Sequence, residues 1–174
     1  SLDFTQQVAA CGDAQYEWHK HLCGYILKKD APSCGMERVK IWDDVMPKRE
    51  GVGVYADKLI KNFPYLPVEE EGRLGDAILR ENFIQRVFAM HRWFKFVSQG
   101  LSVGQLADFH ARHKLTLMSH DQASCRELGQ LVAGTTRECL LEDSKKYLLG
   151  FMSALKKRAS RRNHVNVLQH IQGY

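Results

Sequence analysis

The sequence contains one cysteine whose neighbours hold it on a tight turn. Cys34 is flanked by Pro32, Ser33 and Gly35, residue types that favour turns over helices and strands. The turn follows a short apolar run that is typical of a buried strand. In βαβ domains, functional groups lie on loops at the carboxyl ends of strands. A thiol held on such a turn can face a ligand, so Cys34 is the first candidate for a functional side chain.

The other four cysteines show no comparable arrangement. Cys11, Cys23, Cys125 and Cys139 form no C-x-x-C pair, and an odd total of five argues against a disulfide framework. Cys125 and Cys139 lie in patterns typical of helices, where free cysteines act as small hydrophobic residues. We therefore predict that both are buried.

Positive charge is concentrated near the end of the sequence. From Ser144 onwards there are seven basic residues and no acidic one. A basic cluster attracts phosphate groups, because each neutralised phosphate releases condensed counterions. Basic residues in a last helical turn also complement the helix dipole, and on composition alone we favour this solvated helix end. The cluster consists of Lys156, Lys157, Arg158, Arg161 and Arg162.

Two histidines share a helical stripe with two leucines. Leu106, His110, His113 and Leu117 are separated by four, three and four residues, which places them on one face of a helix. Two imidazoles on one face can bind a metal ion or transfer a proton. They can also be core histidines that are hydrogen-bonded to neighbouring helices. We favour this second interpretation, because no third ligand is identifiable.

Three consecutive acidic residues precede a predicted helix. Glu69, Glu70 and Glu71 could supply a general acid or base if one of them were desolvated near a reacting group. Acidic residues before a helix more often stabilise its positive end, and Arg73 is close enough in sequence to pair with one of them. We favour the structural role.

The first part of the chain has the element order of a βαβ domain, with functional groups expected on the loops after its strands. Apolar runs, alternation and Pro64 mark the elements. They are a helix that ends over residues 14–22, strands over 24–28 and 38–42, a helix over 54–63 and a stiff connector over 64–74. We predict a partial α/β (Rossmann-like) domain over residues 1–75.

The remainder of the chain is predicted to be helical. Ser102 with Gln105, and Thr135 with Glu138, form S/T-x-x-E/Q capping boxes that mark helix starts. The predicted helices cover residues 77–99, 102–119, 121–133, 136–160 and 163 onwards. We therefore predict a mainly α protein whose helical domain spans residues 76–174.

Length and composition are those of an ordinary globular protein. The 174 residues allow one domain or two small ones, and 44% hydrophobic with 26% charged residues exclude disordered and collagen-like proteins. No apolar run approaches the roughly 20 residues of a membrane span. The amino end carries no recognisable signal peptide. We expect a cytoplasmic protein with no membrane partner.

Two parts of the sequence resemble known families. CGYILKKDAPSCGMERVKIW and GVGVYADKLIKNFPYLPVEEEGRLGDAILRENFIQRVFAMHRW resemble the carboxyl-terminal part of the thiouracil desulfidase (TudS-type) domain. FHARHKLTLMSHDQASCRELGQLVAG, continuing to HVNVLQHIQGY, resembles the YbgA-type helical domain of unknown function. Domains fused in this order resemble RudS-type proteins, which remove sulfur from 4-thiouridine in transfer RNA.

The resemblance implies roles for individual residues. In the desulfidase family three cysteines hold a 4Fe–4S cluster, and Cys34 matches the cysteine of the PSCG motif. Three thiolates leave one iron open to bind the sulfur of the substrate. Ser33 and Asp30 flank this ligand and become the candidate catalytic residues of the pocket. If the substrate is a transfer RNA, the five basic residues at 156–162 become phosphate contacts.

The chain departs from the family pattern upstream of Cys34. The other two cluster cysteines belong to motifs of the form CLLG and CPE, and neither Cys11 nor Cys23 matches them. The sequence thus supplies one expected ligand of three, and we expect it to be truncated at both ends. Two alternatives stay open. One is a desulfidase of free thiouracil, and the other is a non-enzymatic helical RNA-binding or interaction module.

Overall fold

The computed structural model describes residues 5–29, 31, 33–36, 39–42 and 47–159. The protein is mainly α, as predicted. Its elements are α1 (Thr5–Ala14), α2 (Tyr16–His19), β1 (Tyr25–Leu27), β2 (Val39–Trp42), β3 (Pro47–Gly51), α3 (Val54–Asn62), β4 (Val68–Glu70), a 3₁₀ helix (Arg73–Gly75), α4 (Ala77–Ser98), α5 (Val103–His120), α6 (Gln122–Gly134) and α7 (Leu140–Lys156).

The chain separates into two compact units, Ser1–Val87 and Phe88–Tyr174, which divide within α4. The sequence predicted a domain boundary after residue 75. None of the helices described here is long and apolar enough to cross a membrane.

The first unit contains a small α/β arrangement. Strands β1 and β4 pair in parallel, with Tyr25 opposite Val68 and Leu27 opposite Glu70, and α3 lies between them in sequence. The predicted βαβ order is therefore confirmed, but its second strand is β4. The prediction of a connector was wrong over Val68–Glu70, which form β4. A parallel strand that is buried on both faces has no alternating pattern of polar and apolar residues by which the sequence could reveal it.

A separate hairpin interrupts this βαβ order. Strand β2, which the sequence predicted, pairs antiparallel with β3 and not with β1. The sequence of β3, PKREG, contains none of the residues that favour strands, so it was not predicted. The helix expected to end over residues 14–22 is also interrupted, since α1 and α2 are separated at Gln15 and α2 ends at His19.

The core of the first unit lies against α3. Apolar residues of β1, α3, β4 and the turn after α3 form one buried cluster, which consists of Leu27, Tyr55, Ala56, Leu59, Phe63, Leu66 and Val68. Helix α3 ends immediately before Phe63 and Pro64, because proline cannot continue a helix. The cluster fixes the amino terminus of α3 close to the carboxyl ends of β1 and β4.

The second unit is a helical body with an aromatic core. Helix α5 packs against α6 and α7, and α6 packs against α7. Trp93, Phe109, Tyr147 and Phe151 are buried and their rings contact one another at centroid distances of 5.1–6.1 Å. Aromatic pairs at these separations add to the stabilisation that burial of their area provides.

Capping explains where two of these helices begin. The predicted box at α5 is confirmed, since the Gln105 amide donates to Ser102 Oγ at 3.2 Å. Asp121 caps α6 by accepting from the Ala123 amide at 3.0 Å. The second predicted box was wrong: α7 begins at Leu140, and the Thr135 hydroxyl donates to the Leu131 carbonyl at 2.8 Å. The helix predicted from residue 163 lies outside the described residues.

Candidate functional site at the Cys34 turn

The Cys34 turn directly follows β1, as the sequence predicted. The amides of Cys34 and Gly35 both donate to the Ala31 carbonyl, at 3.1 and 2.8 Å, and close the turn. The Cys34 side chain is half-buried, and Ser33 Oγ lies 3.4 Å from its sulfur. Two of the predicted site residues are therefore in contact, whereas Asp30 lies outside the described residues.

The amino terminus of α3 holds this turn in place. The Ser33 carbonyl accepts from the amides of Tyr55 and Ala56 at 2.9 and 3.2 Å, and so caps the helix with backbone from a distant segment. Gly53 donates to the Gly35 carbonyl at 2.7 Å. A Cβ on Gly53 would lie 2.4 Å from the Ser33 carbonyl carbon and oxygen, so only glycine fits there.

A buried carboxylate contacts the backbone just after the turn. Glu70, the last residue of β4, accepts from the Met36 amide at 2.6 Å and is only 4% exposed. Its neighbour Glu69 pairs with Arg73 at 2.7 Å, as the sequence predicted for one of the three acidic residues. The sequence predicted the same structural role for all three acidic residues and did not single out Glu70. Its contact with Met36, which is 34 residues away, leaves no signal in the local sequence.

A second polar cluster surrounds the hydroxyl of Tyr55, whose backbone amide binds the turn. This oxygen is 2.7 Å from His19 Nε2 and 3.2 Å from the Tyr25 hydroxyl, and it donates to Gln15 Oε1 at 3.0 Å. Burial is the main cause that raises the pKa of Tyr55, and burial lowers the pKa of His19. The phenol is therefore protonated and the imidazole neutral at pH 7.

The described cysteines do not form a metal centre on their own. Within residues 5–159 as described, no group of three His, Cys, Asp or Glu side chains could hold a metal ion. Cys11 and Cys139 are exposed, Cys125 is buried, and burial raises the pKa of the half-buried Cys23. Three thiolates would be needed for the expected cluster, so the described residues do not fit it by themselves.

The structure tests the prediction that Cys125 and Cys139 of the helical unit are buried. Burial of Cys125 is confirmed, and its thiol donates to the Lys114 carbonyl at 3.7 Å. Burial of Cys139 was wrong. Helix α7 begins one residue later than Cys139, which leaves the side chain exposed in the preceding turn.

The basic cluster begins at the end of α7. Lys156 is the last residue of the helix, Lys157 and Arg158 follow it, and all three are exposed. Lys157 forms an ion pair with Asp121, and hydrogen bonds from Lys157 and Ser124 lower the pKa of Asp121 to about 2. Lys157 is therefore already paired with the residue that caps the start of α6. Arg161 and Arg162 lie outside the described residues.

The two histidines of the apolar stripe have separate partners. His113 Nδ1 donates to the Phe109 carbonyl at 2.8 Å, and its ring stacks on Phe109 at 4.2 Å. His110 Nδ1 lies 3.1 Å from the hydroxyl of Tyr147. Burial lowers the pKa of both imidazoles, so both are neutral at pH 7. This geometry favours core histidines over a metal pair.

Comparisons with known proteins agree with these two units. Residues 1–71 match the family model described as 2-thiouracil desulfurase, and residues 114–174 match one described as a protein of unknown function (DUF1722). The chain is 38% identical over 90 residues to the uncharacterized protein YbgA of Escherichia coli (strain K12). That alignment covers 51% of this chain and 53% of YbgA, so the chain spans about half the length of the curated relative it matches.

No solved structure matches the chain. The desulfurase match covers the Cys34 turn, α3 and β4, and it supports a desulfidase-type function. The chain thus joins a 2-thiouracil desulfurase region to a DUF1722 region, which is consistent with a fusion of the TudS/YbgA type.

Proposed function

We propose that this protein is an iron–sulfur-dependent desulfidase that uses water to convert 4-thiouridine in transfer RNA into uridine and hydrosulfide. The observation that carries the proposal is the half-buried Cys34 thiol, held on a turn between β1 and the amino terminus of α3. The desulfurase match over residues 1–71 supports the reaction class. A fixed, partly accessible thiol is the kind of group that can face a sulfur-containing ligand.

The proposed cofactor is a 4Fe–4S cluster with Cys34 as one of its ligands. Such a cluster would supply an open iron with affinity for the sulfur of the substrate. Because the described residues do not provide three thiolates, the remaining ligands would come from outside the described part of the chain. Ser33 is proposed to line the pocket, because its hydroxyl is 3.4 Å from the Cys34 sulfur. Asp30 stays a candidate on its position in the sequence.

Transfer RNA is the proposed partner of the basic cluster. Lys156 and Arg158 have exposed side chains at the end of α7, and Arg161 and Arg162 follow them in the sequence. Cationic side chains position RNA through phosphate contacts and do not read bases. Lys157 contributes less, since it already pairs with Asp121.

The test of the reaction uses anaerobically purified protein after incubation with iron and sulfide. Transfer RNA that contains 4-thiouridine and free 2-thiouracil are supplied separately, and hydrosulfide release is measured. The proposal predicts iron–sulfur absorbance and release from the RNA. Release from free 2-thiouracil alone would favour the second candidate function, which the description of the matching family supports. Absence of both iron binding and release would favour a non-enzymatic module.

The test of the RNA contact replaces Lys156, Arg158, Arg161 and Arg162 with Ala and keeps Lys157, so that the ion pair with Asp121 survives. We expect weaker RNA binding and a slope of log K against log[salt] that is shallower by about 0.7 to 0.9 per lost phosphate contact. A matched control removes four exposed cations elsewhere in the second unit: Arg112, Lys114, Arg126 and Arg137. Equal effects of both variants would contradict a specific role for the cluster.

A further inference from the structure

The three consecutive acidic residues near β4 have different partners. Glu69 pairs with Arg73, and Glu71 pairs with Lys28 at 2.8 Å and accepts from a backbone amide. Among the described residues, the Glu70 carboxylate has no cationic partner. From the described residues, this carboxylate accepts one hydrogen bond, which the Met36 amide donates to Oε1.

The strand register places Glu70 on the face that carries the site. Glu70 lies opposite Leu27, and Val68, two residues earlier, lies opposite Tyr25. Alternate residues of a strand share a face. Leu27 and Val68 belong to the core around α3, so the Glu70 side chain lies on the side of α3, whose amino terminus holds the Cys34 turn.

The distance along the chain keeps Glu70 close to the thiol. Met36, which donates to Glu70, is two residues from Cys34, and two residues span at most about 7 Å. The same part of the fold therefore carries two different groups. One is a soft thiol that can face sulfur, and the other is a hard carboxylate that can accept an N–H.

Because the Glu70 carboxylate is buried, an additional hydrogen-bond donor would stabilise it. An ionised carboxylate offers about four acceptor sites, and one backbone amide occupies one of them. Removal of such a group from water is costly unless donors replace the lost hydrogen bonds. At 4% exposure, the Glu70 carboxylate has one described donor, the Met36 amide, and keeps acceptor sites that a ligand N–H could occupy.

We propose that Glu70 recognises the ring N–H beside the thiocarbonyl of a substrate that binds at the Cys34 turn. The inference rests on the proposed function for the identity of the substrate and adds a specificity-determining residue to it. A thiopyrimidine of the 4-thiouridine type presents both groups on neighbouring ring atoms. Glu70 therefore selects against bases that lack a hydrogen on this nitrogen.

The test compares binding of 4-thiouridine and N3-methyl-4-thiouridine, measured by equilibrium dialysis. The wild-type protein should prefer 4-thiouridine at least about tenfold, because a hydrogen bond to a charged group is lost with the methyl compound. In Glu70→Gln the amide oxygen can still accept from Met36, but its NH₂ group faces the ring N–H as a second donor. We expect the preference to disappear in this variant.

Glu71→Gln is the matched control, because it removes the same charge one residue along the chain from an exposed side chain. It should keep the wild-type preference. An unchanged preference in Glu70→Gln, or an equal loss in Glu71→Gln, would overturn the inference without affecting the proposed reaction. A preference that depends on Glu70 but occurs without hydrosulfide release would support the inference and contradict the proposed reaction. Binding of neither nucleoside by the wild type would contradict both.

Discussion

The two units differ in where many of their buried polar side chains form hydrogen bonds. In the helical unit, Thr135, Ser144 and Ser119 donate to backbone carbonyls three or four residues earlier. His113 does the same toward Phe109, whereas His110 and His120 bond to residues 37 positions away, Tyr147 and Lys157. In the first unit the corresponding bonds connect distant segments. Glu70 accepts from a residue 34 positions away, and the hydroxyl of Tyr55 meets a histidine 36 positions away.

This difference separates buried hydrogen bonds that only satisfy groups within a helix from buried hydrogen bonds that hold a site together. A bond within one helix can form wherever that helix forms, so it fixes little about the tertiary structure. A bond between distant segments forms only when the fold brings them together. The first unit uses such bonds around Cys34, which is the arrangement expected of a site that must be held in one geometry.

The largest expected difference between the units concerns two glycines. Gly53→Ala would place a Cβ 2.4 Å from the backbone of Ser33, whereas Gly150→Ala would meet the movable end of Leu128 at 2.8 Å. We expect Gly53→Ala to lower the free energy of unfolding by about 3 kcal/mol, and Gly150→Ala to lower it by less than about 1 kcal/mol because alanine favours the helix. Denaturant titration measures both, and equal losses would contradict a rigid backbone at the Cys34 turn.

The next difference concerns two buried tyrosines. Tyr55→Phe removes a hydroxyl that contacts His19, Gln15 and Tyr25, whereas Tyr147→Phe removes a single contact with His110. We expect losses of about 2 and about 1 kcal/mol in the free energy of unfolding, because each variant leaves a polar partner unpaired. Equilibrium unfolding at pH 7 tests the order. A larger loss in Tyr147→Phe would show that the helical unit depends more on its buried polar bonds.

A smaller effect is expected at Asp121 and depends on pH. Its folded pKa of about 2 lies below the ordinary value of 3.8, so its charge stabilises the fold above about pH 4, and this contribution is lost as the pH falls towards 2. Asp121→Asn should keep the helix cap and lose this pH dependence, while Asp121→Ala should lose the cap as well, about 1 kcal/mol. Unfolding measured from pH 7 to pH 2 checks both. A wild-type acid dependence in Asp121→Asn would contradict the assignment.

The smallest effect is expected at Ser144. Its hydroxyl donates to the Leu141 carbonyl of the same helix, and alanine has the higher helix propensity. We expect Ser144→Ala to change the free energy of unfolding by less than about 0.5 kcal/mol, although the residue is only 4% exposed. Thermal unfolding measures it. A loss of the size expected for Tyr55→Phe would remove the distinction between bonds within a helix and bonds between segments.

Local signals in the sequence predicted much of the fold. The S-x-x-Q pattern located the start of α5, Asp121 the start of α6 and Pro64 the end of α3. Each of these depends on residues within one turn of each other. The Pro-Ser-Cys-Gly segment likewise predicted the Cys34 turn after β1.

The features that the sequence could not predict are non-local. Strand β4 has three residues and forms only because β1 lies beside it. The contact of Glu70 with Met36, and the contact of His19 with Tyr55, need the folded chain before they exist. Arg86 shows the same limit, since an arginine within α4 gives no sign that it is 6% exposed and lies near Glu69.

The central claim is that Cys34 belongs to the site at which sulfur leaves the substrate. The most direct test measures hydrosulfide release from transfer RNA that contains 4-thiouridine, using the wild type, Cys34→Ala and the exposed-cysteine control Cys139→Ala after anaerobic incubation with iron and sulfide. We predict release by the wild type and by Cys139→Ala and none by Cys34→Ala. Release by Cys34→Ala at the wild-type rate would contradict the claim.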